Sequence, residues 1–440
     1  MNSLKVDFTK TTGRKIKPLH GINNCPLDYY NPIPEFIEFG IPYCRLHDTG
    51  GAYGRGILID VPNVFPDFNA DPEDPAAYDF VFTDALLKNL KASGCEIVYR
   101  LGVTIETARD IQVRRINPPS DYNKWAKICE HIIRHYNEGW ANGLFLNIKY
   151  WEIWNEPDNK DMWTGTDQEY FELYRVTSNY LKSVFPHLKF GGYAACGFYA
   201  IDNPDDERRA PWLKYFHDFC KYITAPETGA VLDFFSWHIY TNDLDRIARY
   251  SVYAAEQLKL YGLGNAEIML NEWNVMDTEA GISVFDAMRN CRGASFVAAA
   301  FCLLQASPVD KAMYYDGQPM ANYGAIWENS RRMPSKTFYI FRMFNELYKL
   351  GTENSVEITA DNNDIYALAA SNENTGKKAV LAVNRAAHPQ IIKFDTNGCS
   401  GKGMCFITDN DLTFTENNLP LFKDGEITMS AFSVMLIRFD

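Results

Sequence analysis

Between residues 17 and 350, short apolar runs alternate with longer amphipathic ones. The short runs are bounded by Gly, Pro, Asn or Asp and read as strands. Eight stand out: "PLHGINN" (18–24), "IPYCRLH" (41–47), "CEIVYRLG" (95–102), "IKYWEIWNE" (148–156), "LKFGGYAA" (188–195), "LDFFSWHIY" (232–240), "EIMLNEWN" (267–274) and "DKAMYYDG" (310–317). Between them lie helical patterns: "DFVFTDALLKNLKASG", "SDYNKWAKICEHIIRHYNEG", "DQEYFELYRVTSNYLKSV" and "SVFDAMRNCRGASFVAAAFCLLQ". In the second of these, Ser120 is placed to cap the N-terminus and Gly139 to stop the helix. Eight strand–helix units predict an α/β fold, a (β/α)8 TIM barrel over 17–350, ahead of an open doubly wound sheet.

A final helix, "SKTFYIFRMFNELYKLG", ends near Gly351, and the pattern then changes. "DIYALAASN", "KKAVLAVNR", "QIIKFD", "MCFITD" and "ITMSAFSVMLIRF" alternate with period two. They predict a smaller all-β sandwich over 351–440. The N-terminal "LKVDF" alternates too, so residues 1–16 are expected to add a strand to that sandwich. Whether the sandwich braces the barrel or mediates assembly into an oligomer is left open at this level.

Composition narrows the function. The chain has 440 residues, 46% apolar and 14% aromatic, with a net charge of −13 and no Lys/Arg-rich run. That argues against nucleic acid or an anionic membrane as partner. The opening "MNSLKVDFTKTTGRKIKP" lacks an apolar signal core, and no stretch offers 18 uninterrupted apolar residues. Ten scattered cysteines without a Cys-x-x-Cys pair fit a reducing compartment, so a soluble, cytoplasmic protein is expected. The Gly-rich "GGAYGRG" (50–56) matches neither nucleotide-binding spacing and reads as a loop. No metal or other cofactor is indicated: His131 and His135 are four apart without a following zinc-protease Glu, and Cys399 with Cys405 offers only two thiols.

In barrels of this kind chemistry gathers at the C-terminal ends of the strands. Glu156 closes the fourth predicted strand, in "WNEP", and Glu272 closes the seventh, in "LNEW". One Asn-Glu pair reads most simply as an ion-paired core residue. Two, at opposed strand ends, can meet across the barrel mouth. Facing carboxyls are what glycosidic cleavage needs, one as proton donor and the other as nucleophile. Trp151, Ile153 and Trp154 around Glu156 are expected to desolvate it and hold its pKa up.

These residues carry a resemblance to the retaining glycoside hydrolases of clan A, and within them to family 39, which includes β-xylosidases and α-L-iduronidases. The likeness runs from "RLHD" through "SKTFYIFRMFNEL". "WEIWNEPDN" is similar to the family's acid/base strand, which implies Glu156 as general acid/base; "IMLNEWN" is similar to its nucleophile strand, which implies Glu272. Asn155 matches the asparagine that holds the sugar 2-hydroxyl. Arg45 resembles the arginine that contacts the nucleophile, whose charge would keep Glu272 ionised, and His47 resembles a ligand of sugar hydroxyls. On strand six, His238 and Tyr240 share one side and could reach the sugar or the nucleophile. Trp327 is a candidate sugar platform.

Three features depart from the family pattern: Asp158 in place of Asn, Trp273 in place of Phe, and the stretch "YYDGQPMANYGAIWENSRR". The expected protein is a retaining enzyme acting on a glycoside or oligosaccharide, releasing terminal β-D-xylosyl or stereochemically related residues through a covalent glycosyl-enzyme. β-Galactosidase, α-L-arabinosidase and endo-acting hydrolase activities stay open, as does a non-catalytic sugar-binding protein on the same scaffold.

Overall fold

The computed structural model describes residues 2–28, 30–49, 59–103, 116–319, 321–328, 331–361, 363–399, 403–417 and 425–439. The Gly-rich stretch 50–56 lies outside them. The N-terminal strand β1 (Asn2–Lys15) leads into the barrel strands β2 (Gly21–Asn23), β3 (Tyr43–Leu46), β4 (Glu96–Leu101) and β5 (Tyr150–Ile153). The barrel continues with β6 (Lys189–Ala195), β7 (Phe234–Thr241), β8 (Glu267–Val275) and β9 (Lys311–Tyr315). Strands β2 to β9 close in sequence order, all parallel, with β9 pairing back to β2. Each of the eight predicted strands falls on one of them.

The helices differ more from expectation. Asp121, not Ser120, caps the helix Tyr122–Glu138, its carboxylate accepting from the amides of Asn123 and Lys124. Gly139 ends that helix in the left-handed region, at φ 75°. The single helix expected over 283–305 is two, Val284–Arg289 and Cys291–Ala306, because Asn290 breaks the chain and caps the second. Helices Ala210–Thr224 and Leu244–Leu260 were not anticipated from the pattern.

Period-two alternation stacks the barrel interior in layers. Val98, Tyr150, Phe234, Met269 and Met313 form a buried apolar cluster inside the lower barrel. Two positions further along the same strands stand Arg100, Glu152, Ser236 and Asn271, all fully buried. The interior therefore changes from apolar to polar toward the C-terminal strand ends. That change is what prepares the barrel mouth for chemistry.

The remaining strands are β10 (Thr352–Thr359), β11 (Ile365–Ser371), β12 (Lys378–Asn384) and β13 (Gln390–Asn397), then β14 (Met404–Thr408), β15 (Thr415–Asn417), β16 (Glu426–Met429) and β17 (Val434–Phe439). With β1 they make one nine-stranded mixed sheet, ordered β15-β14-β17-β12-β11-β10-β1-β13-β16. β1 pairs antiparallel with β10 and parallel with β13. Four strand steps separate β1 from β17, about 19 Å in a flat sheet. Yet Phe8 and Phe439 meet at 5.9 Å, so the sheet curls over its own core. Its other face, with Leu368, Ala370, Leu381, Val383 and Leu436, joins the barrel's core.

A polar clamp ties the two parts together. Arg14 on β1 donates from Nε and Nη2 to the buried Glu353 on β10, at 2.8 and 2.5 Å, and Gln305 Nε2 on the helix Cys291–Ala306 donates to the same carboxylate at 2.7 Å. Glu353→Ala leaves Gln305 with an unpaired buried donor. It is expected to lower stability by about 2 kcal/mol, seen as a lower urea midpoint at unchanged slope; an unchanged midpoint would mean that the clamp holds nothing.

Candidate active site

The site grows from one buried guanidinium. Arg45, on β3, is fully buried and serves three acceptors: Nε donates to Glu152 Oε2 at 2.7 Å, Nη1 to Glu272 Oε2 at 3.1 Å and Nη2 to Asn155 Oδ1 at 2.6 Å. The other oxygen of Glu152 accepts from Ser236 Oγ at 2.6 Å and from Asn271 Nδ2 at 2.5 Å. Glu152 is therefore saturated and has no oxygen to spare for a ligand. A register shift on β8 between Leu270 and Trp273 lets consecutive residues, Asn271 and Glu272, both turn to this network.

Glu156 reaches the mouth by a different route. β5 ends at Ile153, three residues before the expected end, and the chain then turns through left-handed conformations at Trp154 (φ 69°) and Glu156 (φ 47°). Non-glycine residues pay steric strain there, and such strain clusters at functional sites. The turn is pinned by Trp154 N donating to Leu101 O at 3.0 Å and Glu156 N donating to Ala194 O at 3.1 Å. Trp151 and Trp154 do not wall the acid as expected. Trp151 packs on Tyr99, and Trp154 packs between Trp125 and Trp163, because alternation turns the first of them outward to the helices.

Across the mouth, Tyr240 Oη donates to Glu272 Oε1 at 2.7 Å. His238 Nδ1 lies 2.7 Å from Glu156 Oε1 and 3.7 Å from Glu272 Oε2. One carboxylate oxygen of each glutamate and a ring nitrogen of His238 lie within 4.8 Å of one another. Such a trio could geometrically surround a small cation, but Arg45 already supplies the positive charge beside Glu272. The donor set suits a shared proton better than a metal.

Electrostatics reverse one expectation. Burial works to raise the pKa of Glu156, but the hydrogen bond and charge of His238 outweigh it, and the carboxyl is held below its usual range. Burial pushes Glu272 up; His238 and Arg45 pull it down, the charge of Glu156 adds to the rise, and the net shift is upward. Arg45 was expected to keep Glu272 low, yet it divides its charge among three acceptors. Burial opposes protonation of His238, and the charges of Glu272 and Glu156 overcome that, raising its pKa. His47 is the contrary case: burial, then Arg45, Arg100 and His238, hold it well below the usual value, so its ring is neutral.

Of the residues singled out in the sequence, Arg45, Asn155, Glu156, His238, Tyr240 and Glu272 are joined by direct hydrogen bonds or ion pairs, and His47 is buried close enough to feel Arg45 and His238. Among the described residues, three nitrogens in this group have no protein partner: Asn155 Nδ2, His47 Nδ1 and His238 Nε2. Trp327 does not join them. It is fully buried, packs edge-on against Phe338 and donates from Nε1 to Gly317 O at 2.8 Å, so its ring offers no face to a sugar. The half-buried Tyr323, its ring centroid 5.6 Å from that of Tyr240 and 5.8 Å from that of Tyr315, stands near the Glu272 side of the mouth instead. His131 and His135 are engaged elsewhere, with Glu73 and Asp84. Sequence reading missed Glu152, Ser236 and Asn271; only their place two residues above the apolar layer could have flagged them.

A parallel barrel whose mouth joins two buried glutamates, an arginine and polar groups with unmet hydrogen-bonding capacity has the architecture of a glycoside hydrolase. The chain belongs to the glycosyl hydrolases family 39, whose family model matches residues 38–269. It is 30% identical over 239 residues to a β-xylosidase of Geobacillus stearothermophilus, a match covering 52% of this chain and 42% of that protein's length. Among solved structures, a glucosidase from Croceicoccus marinus superposes with a TM-score of 0.77 at 19% identity, covering 100% of this chain and 98% of the other. A monomeric β-xylosidase from Caulobacter crescentus gives 0.68 at 15% identity, covering 100% and 99%. At these identities the structural likeness speaks for the fold.

Tyr240→Phe removes a hydrogen bond that favours ionised Glu272. The pKa of Glu272 then rises further, so the acidic limb of a kcat/KM profile should move to higher pH while the alkaline limb stays. Movement of the acidic limb to lower pH would contradict this role.

Proposed function

We propose that this family 39 enzyme releases terminal β-D-xylosyl or stereochemically related residues by double displacement with retention. The observation that carries the proposal is the approach of Glu156 and Glu272 to within 4.8 Å, oxygen to oxygen. Retaining enzymes hold their two carboxyl groups about 5–5.5 Å apart, whereas inverting ones keep about 6.5–9.5 Å for a water. The xyloside preference draws on the β-xylosidase relative. The catalytic unit is residues 17–350, and the sheet formed by 1–16 and 351–440 is accessory. A reducing, cytoplasmic setting is supported by ten free cysteines.

In this mechanism Glu272 attacks the anomeric carbon as the glycosidic C–O bond breaks, and Glu156 delivers a proton to the departing oxygen. The glycosyl ester on Glu272 is then opened by water, whose proton goes to Glu156. The 2.7 Å bond between His238 Nδ1 and Glu156 Oε1 lets one proton shift between them. In the resting site it favours His238; a leaving oxygen needs it on Glu156. Once Glu272 is esterified its negative charge is gone, and Glu156 gives up a proton more readily. Asn155 keeps its Oδ1 on Arg45 and has Nδ2 to offer a sugar hydroxyl.

Glu272→Gln is expected to abolish turnover without unfolding, since the displacement has no other nucleophile. A 2-fluoro xyloside should add one glycosyl unit at Glu272 in the native enzyme, and labelling at another residue would sink the assignment. Glu156→Ala should keep its first step on aryl glycosides with good leaving groups and be accelerated by azide, giving a glycosyl azide of retained configuration. Equal loss on activated and unactivated substrates, without azide rescue, would make Glu156 structural.

A further inference from the structure

Asp158 departs from the Asn-Glu-Pro-Asn pattern, and the fold places its carboxyl behind Glu156. Both residues hang from the end of β6 and the residue after it: Glu156 N donates to Ala194 O, and Cys196 N donates to Asp158 Oδ2, each at 3.1 Å. Asp158 is only 6% exposed, and among the described residues its Oδ1 has no nitrogen or oxygen partner, the Cys196 thiol being the side-chain group beside the carboxyl. An asparagine could accept the Cys196 amide equally well, so the fold does not require an ionisable group here.

The groups whose charges act on Asp158, or on which it acts, can be named from each side. Glu156 comes from its own turn, Tyr193 from β6, Cys196 from just after it, and His238 from β7. Tyr170 comes from the helix Asp167–Val184 and Tyr215 from the helix Ala210–Thr224. The single cation among them, His238, is hydrogen-bonded to Glu156. Asp158 therefore has no counter-ion of its own, and burial with the nearby Glu156 charge pushes its pKa up to about 7. Interaction between two titrating groups is reciprocal: if the charge of Glu156 resists ionisation of Asp158, the charge of Asp158 resists loss of the proton near Glu156.

Resting on the reading of Glu156 as acid/base, we propose that Asp158 is a positioning residue for the acid proton: its negative charge, once formed, keeps that proton on the Glu156–His238 pair and extends activity into the alkaline range. The carboxyl touches no reacting atom and works through Glu156. Each charge opposes formation of the other, and removing that of Asp158 is expected to move the alkaline limb by roughly one pH unit, a tenfold change in rate on that limb.

Carbon-13 NMR titration of glutamate-labelled protein tests this, with the Glu156 carboxyl identified by its loss in Glu156→Gln. In the native protein the Glu156 signal should show, besides its own titration, an inflection near pH 7 from Asp158. In Asp158→Asn that inflection should vanish. The midpoint of the Glu156 carboxyl, which lies below the range where Asp158 ionises, should stay. Loss of the proton that the pair keeps on His238 should move to lower pH by roughly one unit. The alkaline limb of kcat/KM for an aryl xyloside should move to lower pH by the same amount, with the acidic limb in place. A native titration without the extra inflection overturns the proposal, even if the variant does not fold. So does an Asp158→Asn limb that stays or moves to higher pH. If no xyloside is turned over and Glu272 takes no label, the functional reading fails instead, while the titration still reports whether the two carboxyls couple.

Discussion

The site depends on a positive charge that water cannot reach. Arg45 is fully buried, and a guanidinium stripped of solvent is stable only when its donors are matched and its charge is compensated. Glu152 meets that need from below, itself fixed by Ser236 and Asn271. The remaining nitrogens of Arg45 fix Asn155 and Glu272 from above. One planar fork on β3 thus sets the positions of two groups from β5 and its end and one from β8. A lysine could supply the charge there but not the three directions.

Charge balance then accounts for the unusual titration of the mouth. Arg45 and a protonated His238 face three carboxylates, Glu152, Glu156 and Glu272. Burial is the first cause of the raised pKa of Glu272, and the neighbouring negative charge of Glu156 adds to it against the pull of His238 and Arg45. In the mechanism proposed above, a substrate changes this balance by displacing water and by removing the charge of Glu272 when an ester forms. In the proposed mechanism the resting state need not carry the protonation pattern of the reacting one. A short hydrogen bond between His238 and Glu156 lets the proton relocate without leaving the site.

The sheet formed by β1 and β10 to β17 gives the barrel a second wall. Its inner face merges with the hydrophobic layer over the barrel helices, while its outer layer curls over a core of its own. Lys17, just after β1, donates to the carbonyls of Leu304, Ser307 and Val309, where the helix Cys291–Ala306 ends and the chain enters β9. The start of the chain is therefore bonded to the last turn of the barrel, close to the clamp around Glu353.

Local pattern by itself determined the eight parallel strands, the change to alternating strands after Gly351, and the two Asn-Glu pairs, one just past the end of β5 and one within the C-terminal half of β8. These follow from side-chain periodicity and from residue type, which are properties of short segments. Arg45, His238 and Tyr240 were legible as polar residues at or near the ends of apolar runs, and Asn155 through its match to the family motif. Tertiary structure alone decided which glutamate of "WEIWNEPDN" is saturated and which keeps an oxygen for the mouth, because that depends on Ser236 and Asn271 arriving from other strands. It alone buried Trp327 against Phe338 and turned Trp151 and Trp154 away from Glu156. It also reversed the expected pKa order of the two acids. Electrostatics sums over everything near in space, and His238, 82 positions from Glu156 in the chain, outweighs every sequence neighbour of that acid.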